Sequence, residues 1–125
     1  MTNSPLSPGD IVLVPFPFTN YLNTKRRPAL VLSTSDFYSS SSDVILVAIS
    51  SNISRRSEYE VKVLSTELDF AQTGLKRSSS IKCASIFAFS QAQIDRKLGT
   101  LSIRFLTQVK KVLATILDLQ VPNLE

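Results

Sequence analysis

The sequence predicts a mainly β chain with a C-terminal α-helix, built as a small twisted antiparallel sheet. Three observations carry this. Short apolar runs recur from Asp10 to Leu101, each bounded by Pro, Gly, Asn, Ser or Thr. Two of them, within Gly9–Ser33 (GDIVLVPFPFTNYLNTKRRPALVLS), flank a long loop, as in a β-hairpin. Only beyond Ser102 does the apolar spacing lengthen to the three and four residues of a helix.

Met1–Pro8, with its prolines and small polar residues, reads as a loose lead-in. The first strand is expected at Asp10–Val14, where four apolar residues in succession imply that both faces are covered. Pro15 and Pro17 cannot donate ladder hydrogen bonds and should end it. A loop over Phe16–Arg26 follows, and Pro28 marks the second strand, Ala29–Ser33. Thr34–Ser42, with four serines in a row, reads as a surface loop. DVILVAIS, Asp43–Ser50, is the third and most apolar strand, and Ser51–Ser57 a second basic loop. Tyr59–Val63 alternates apolar and charged residues, so it has one wet face. Thr66–Ala71 reads as a short turn broken by Gly74.

Ser80–Phe89 is expected to start exposed and end buried. Gln91–Lys97 is a polar connection, and Lys97–Leu101 a short last strand. Ser102 is placed to cap a helix carrying one apolar stripe: Leu106, Val109, Val112, Leu113, Ile116 and Leu117. Arg104, Lys110 and Lys111 lie off the stripe, and Pro122 should end the helix. Five or six short strands with a terminal helix fit such a sheet or an SH3-like barrel, in one domain spanning residues 1–125.

Composition narrows the chemistry. Lys and Arg number 14 against 10 Asp and Glu, a net charge of +4 that favours a polyanionic partner. Histidine is absent, which removes His–metal sites and histidine-dependent nucleophilic or acid–base machinery. Cys83 is the single cysteine, so no intrachain disulfide is possible and a reducing compartment, the cytosol, is the simpler expectation. No membrane span, signal peptide, metal-ligand cluster or glycine-rich phosphate loop is visible, and no cofactor is expected.

Arginine, lysine, hydroxyls and scattered carboxylates remain. That set suits cleavage of RNA, which carries its own nucleophile, the 2′-OH. Charge on the phosphoryl oxygens can be stabilised by preorganised cations and hydroxyl donors without a metal. Arg27, held extended by Pro28, is the leading candidate; Ser50 ends the most apolar strand, and Lys82 lies on a polar strand face. Phe16, Phe18 and Tyr21, with Thr19, Lys25 and Arg26, make a basic loop with rings that can stack on bases; Asn52, Arg55 and Arg56 make a second polar loop. Each also fits a plainer role: a solvated cation, a strand-end serine bonded to backbone, a ring packing its loop.

The strings GDIVLVPFPF, RRPALVLS and DVILVAISSN, then GLKRSSSIKCASIFAF and IDRKLGTLS before the helix, resemble MazF/PemK toxins, in order over nearly the whole chain. The PFPFT loop is most similar to the PemK-like branch. The resemblance implies an SH3-like or CcdB-like β-barrel and a homodimer. It implies ribosome-independent, sequence-selective cleavage of single-stranded mRNA to 2′,3′-cyclic phosphate and 5′-OH ends, and neutralisation by an antitoxin with an acidic flexible tail. By position, Arg27 matches the arginine implicated in proton transfer and phosphate stabilisation, and Ser50 a hydroxyl that contacts the scissile phosphate. Lys82 stands where PemK-type members often carry Arg, keeping the charge without the bidentate fork, and Ala84 where they often carry Asp. A homologue that only binds RNA or antitoxin, and a CcdB-like gyrase poison, are the rival expectations.

Overall fold

The computed structural model describes residues 4–15 and 25–124. Six strands form one antiparallel sheet: β1 Asp10–Pro15, β2 Arg26–Val31, β3 Asp43–Ser50, β4 Glu60–Val63, β5 Ser79–Ser90 and β6 Arg96–Thr100. Their spatial order is β4-β5-β3-β2-β1-β6. Helix α1, Ser35–Ser40, lies between β2 and β3, and α2, Ile103–Leu117, follows β6. The mainly β chain with a C-terminal helix is as expected, and no described helix is long and apolar enough to cross a membrane.

The closed SH3-like or CcdB-like barrel is not what forms. β4 and β6 are the two edges of the sheet, which is an open, curled half-barrel. Bulges between Ile11 and Val12 and between Val47 and Ala48 break the register, and bulges bend strands and increase their twist. Closure requires the edges to pair. Here the connection leaving β4 comes to rest on β6 instead, through the 3-10 turn Ala71–Thr73. The approach is close. Gly74 has φ +72°, and a Cβ there would fall 2.1 Å from the Leu98 carbonyl oxygen; a Cβ on Gly99 would fall 2.2 Å from that of Gln72.

Strand alternation builds a core on each face of the sheet. Ile11, Leu30, Val47, Ile49, Val61 and Ile81 face α2, which contributes Phe105, Val109 and Leu113. Val12, Val14, Ala29, Val31, Val44 and Leu46 form the other core with Phe89. The four-residue apolar run of β1 is thus covered on both sides, and β4 buries Val61 and Val63 while Glu60 and Lys62 stay half-exposed.

Several boundaries differ from expectation. The segment read as a loop after β2 contains α1, because Thr34 Oγ1 accepts the Phe37 N–H at 3.1 Å and caps it; α1 buries nothing, so it leaves no apolar stripe. β2 begins at Arg26, with Pro28 inside it opposite Leu13, since pairing with β3 spans only Ala29–Val31 and needs no N–H from Pro28. β5 starts buried and becomes exposed at Ala84, the reverse of the expectation, because the bulge interrupts its ladder after Lys82. Helix α2 ends before Pro122, at Asp118, whose left-handed φ of 52° closes the last turn onto the Ala114 carbonyl. Ser102 occupies the cap position, but its hydroxyl donates to Asp69 at 2.6 Å rather than capping. Leu117 lies off the buried stripe and is exposed.

Candidate functional site

The predicted residues distribute over both faces of the sheet. In β1–β2, Val14 is opposite Arg27 and Val12 opposite Ala29. In β2–β3, Ala29 is opposite Ala48; the same register carried two residues further sets Arg27 level with Ser50. In β3–β5, Ser50 is opposite Ser80 and Ala48 opposite Lys82. Directly paired residues share a face. Arg27, Ser50 and Lys82 therefore belong to one face, on three neighbouring strands.

Local hydrogen bonds order this row. Ser50 Oγ accepts the Asn52 N–H at 3.1 Å, which leaves its proton available to donate. Asn52 Oδ1 in turn accepts from the Ser54 N–H at 3.1 Å and the Ser54 hydroxyl at 2.7 Å. Ser80, fully buried, donates to Glu60 Oε1 at 2.8 Å, and Glu60 is opposite Lys82 across β4–β5. The Glu60 strand thus lies two strands from that of Ser50, about 10 Å in backbone spacing, and its carboxylate reaches back to the intervening strand at Ser80. Ala84 follows the bulge and is exposed.

The other face holds a cavity of about 450 Å³. Leu13, Ile49, Leu75 and Leu98 supply apolar wall, and Lys25, Arg26, Arg27, Lys76, Arg77 and Arg96 line it, with no acidic side chain among the described lining residues. Arg27 borders this cavity although its strand position belongs to the opposite face, so it stands where the two meet. Arg26 pairs with Asp95 at 3.2 Å, both partly exposed. Ser51, not Ser50, lines the cavity, as alternation requires.

Lys82, Asn52 and Arg55 do not line this cavity; Arg56 borders a shallow hollow with Glu58, Glu60 and Lys62. Phe16, Phe18, Thr19 and Tyr21 lie outside the described residues. Sequence reasoning missed Lys76, Arg77 and Arg96, and also Glu60 and Ser80. The Lys-Arg pair two residues after Gly74 is a visible charge signal, but its packing against β6 follows from Gly74 and Gly99, which the sequence does not connect.

Cys83 is buried, and burial pushes its thiol up to about 11, so it is not a nucleophile near neutral pH. No described group of three or more His, Cys, Asp or Glu side chains is placed to hold a metal ion.

The fold is shared with solved toxins. A MazE–MazF structure from Deinococcus radiodurans superposes with a TM-score of 0.75 at 18% identity, covering 94% of this chain and 100% of that one. The Mycobacterium tuberculosis toxin MazF-mt6 gives 0.71 at 20% identity over 90% and 99%. An endoribonuclease in complex with its cognate antitoxin, from a mycobacterial species, gives 0.72 at 16% identity over 94% and 99%. No curated protein matches the chain at a comparable significance. The model of the PemK-like, MazF-like toxins matches residues 7–117. That match takes in every strand and both helices, and the chain belongs to the PemK-like, MazF-like toxins of type II toxin–antitoxin systems.

Proposed function

We propose that this toxin is a metal-independent endoribonuclease that cleaves single-stranded RNA, acts as a single-domain homodimer in the cytoplasm, and is neutralised by an antitoxin with an acidic flexible tail. Family membership supports the class, and one of the similar solved structures is itself an endoribonuclease bound to its cognate antitoxin. The observation that carries the reading is the register that sets Arg27, Ser50 and Lys82 on one face of three neighbouring strands.

The 2′-oxygen attacks the adjacent phosphorus, the P–O5′ bond breaks, and a 2′,3′-cyclic phosphate and a 5′-hydroxyl result. The 2′-OH proton must leave, and the departing 5′-oxygen must gain one. Arg27, always charged, stabilises the phosphorane oxygens and helps proton transfer by hydrogen-bonding the solvent water that protonates the departing 5′-oxygen. Ser50 donates its hydroxyl proton to the phosphate, and Lys82 adds positive potential as a point charge. Glu60, held by Ser80, accepts the 2′-OH proton. Phe16, Phe18, Thr19 and Tyr21 contact the bases, and Lys25, Arg26, Asn52, Arg55 and Arg56 the backbone.

The test is cleavage of a long RNA in excess EDTA by the wild type and by Arg27→Ala. The expected result is cleavage by the wild type and a loss of about 100-fold or more in the variant, the scale on which oxyanion donors act. Absence of wild-type cleavage across varied sequences overturns the enzyme, and equal cleavage by both removes Arg27 from the site.

A further inference from the structure

Of the two edge strands, β6 carries the Ala71–Thr73 turn, whereas no described strand lies along the outer side of β4. The Cys83 N–H donates to the Tyr59 carbonyl at 3.1 Å, which continues the register that sets Val61 opposite Ile81 and Val63 opposite Ser79. Hydrogen-bonded and non-bonded pairs alternate in an antiparallel ladder. Tyr59, Val61 and Val63 therefore turn their backbone groups to β5, and Glu60 and Lys62 turn theirs outward. The Ser57 carbonyl takes the Glu60 N–H at 3.3 Å, so the outward groups left to match are the Glu60 C=O and the N–H and C=O of Lys62. A hollow bordered by Glu60 and Lys62 flanks this edge on one side, and a second, between Tyr59 and Val112 of α2, on the other.

We infer that β4 is a self-association edge, at which two copies of this chain pair antiparallel about a two-fold axis at Val61. A charged edge ordinarily deters pairing. Here the charges select one register. With Glu60 opposite Lys62 of a second copy, and Lys62 opposite its Glu60, both cross-strand pairs are of opposite charge, and each Lys62 N–H meets a Glu60 carbonyl. A shift of two residues in either direction sets Glu60 against Glu60 or Lys62 against Lys62, which repel. The contact is isologous and closes at two copies, in addition to a homodimer made through another surface. A strand of 4 residues covers far less than the roughly 1,200 Å² of a stable interface, so the pairing is weak and forms at high concentration.

Pairing also brings a residue of the second copy to Glu60. One carboxylate oxygen of Glu60 accepts from Ser80, and Lys62 of the second copy takes the other. A carboxylate held by an ammonium is a poorer proton acceptor, so the paired form is the less active one. This consequence rests on the nuclease reading; the pairing itself does not.

The experiment follows the mass of the full chain by sedimentation from about 5 to about 500 µM, a range that spans weak association, for the wild type, Lys62→Glu and Lys62→Arg. Thermal melting confirms that each is folded. The wild type and Lys62→Arg are expected to double in mass across the range. Lys62→Glu, which sets Glu60 against a second glutamate, is expected to keep its mass. Hydrogen exchange of the Lys62 amide should slow at least about fivefold in the wild type as the mass doubles. A constant wild-type mass overturns the pairing. So does doubling by Lys62→Glu, or a Lys62 amide that stays unprotected, since either places the contact elsewhere. The single-turnover rate on trace RNA, with protein saturating throughout, should fall about twofold when most chains are paired, in the wild type and not in Lys62→Glu. A constant rate while the mass doubles overturns the effect on Glu60. A protein that doubles in mass but cleaves nothing supports the pairing and removes the nuclease, so the two readings fail separately.

Discussion

Among single residues, Glu60 carries more consequence than its sequence position suggests. It stands on a short strand with one wet face, where a glutamate ordinarily does nothing but dissolve. Its carboxylate is instead fixed by a buried serine that lies opposite Ser50. With histidine absent from the chain and Ala84 lacking a titratable group, the proposed mechanism assigns proton transfer to Glu60. Glu60→Gln keeps the shape and the hydrogen bond from Ser80 but cannot take a proton. It should lower kcat about 100-fold with RNA affinity unchanged, and Glu60→Asp should recover part of the loss. Single-turnover kinetics check this, and a Glu60→Gln protein with wild-type kcat would remove the role. The sequence nominates Arg27 because Pro28 singles it out from Lys25 and Arg26. It does not nominate Glu60, because its meaning comes from a cross-strand hydrogen bond.

Elements were legible where burial leaves a period and illegible where something else holds them. The stripe on α2 announces itself because Val109 and Leu113 are buried and Leu106, Val112 and Ile116 pack against the core. Phe105, the buried anchor of the first turn, falls outside the stripe that the sequence spacing marks, and its ring is covered by the Arg104 guanidinium at 4.1 Å. Helix α1 is held by a threonine cap and β5 changes character at a bulge, neither of which periodicity reports. The start of α2 shows a third case. Arg104 donates to Asp69 at 2.8 and 3.2 Å and Ser102 at 2.6 Å, clamping the helix to the connection before β5. The Arg104 hydrogen bonds, then that from Ser102, hold the Asp69 carboxyl below its ordinary value. A carboxyl lowered by folding stabilises the native state above the unfolded pKa, about 3.9, and that contribution is lost as pH falls through the folded value. Thermal melts should therefore show the wild type losing its advantage over Arg104→Ala as pH drops from 6 to below about 4. A gap that stays constant with pH would mean the clamp acts by packing alone.

For the whole molecule, apolar exposure is concentrated at one end. Six of the fourteen basic residues line the cavity at the start of β2, whereas five of the nine exposed large hydrophobic residues among those described, Ile103, Leu117, Leu119, Val121 and Leu124, lie on α2 and the chain beyond it. A small basic chain gains nothing from leaving that many apolar side chains in water, since each buried Leu or Val is worth about 1.5–3 kcal/mol. In the proposed homodimer they are natural material for the interface. Sedimentation equilibrium at micromolar concentration is expected to give twice the 13.8 kDa chain mass. Leu119→Asp/Val121→Asp, past the end of α2, should shift the population toward monomer without lowering the helix content. A wild type that sediments as a monomer would remove the homodimer. A dimeric double variant would place its interface elsewhere, and the edge strand β4 would then be the surface to substitute next.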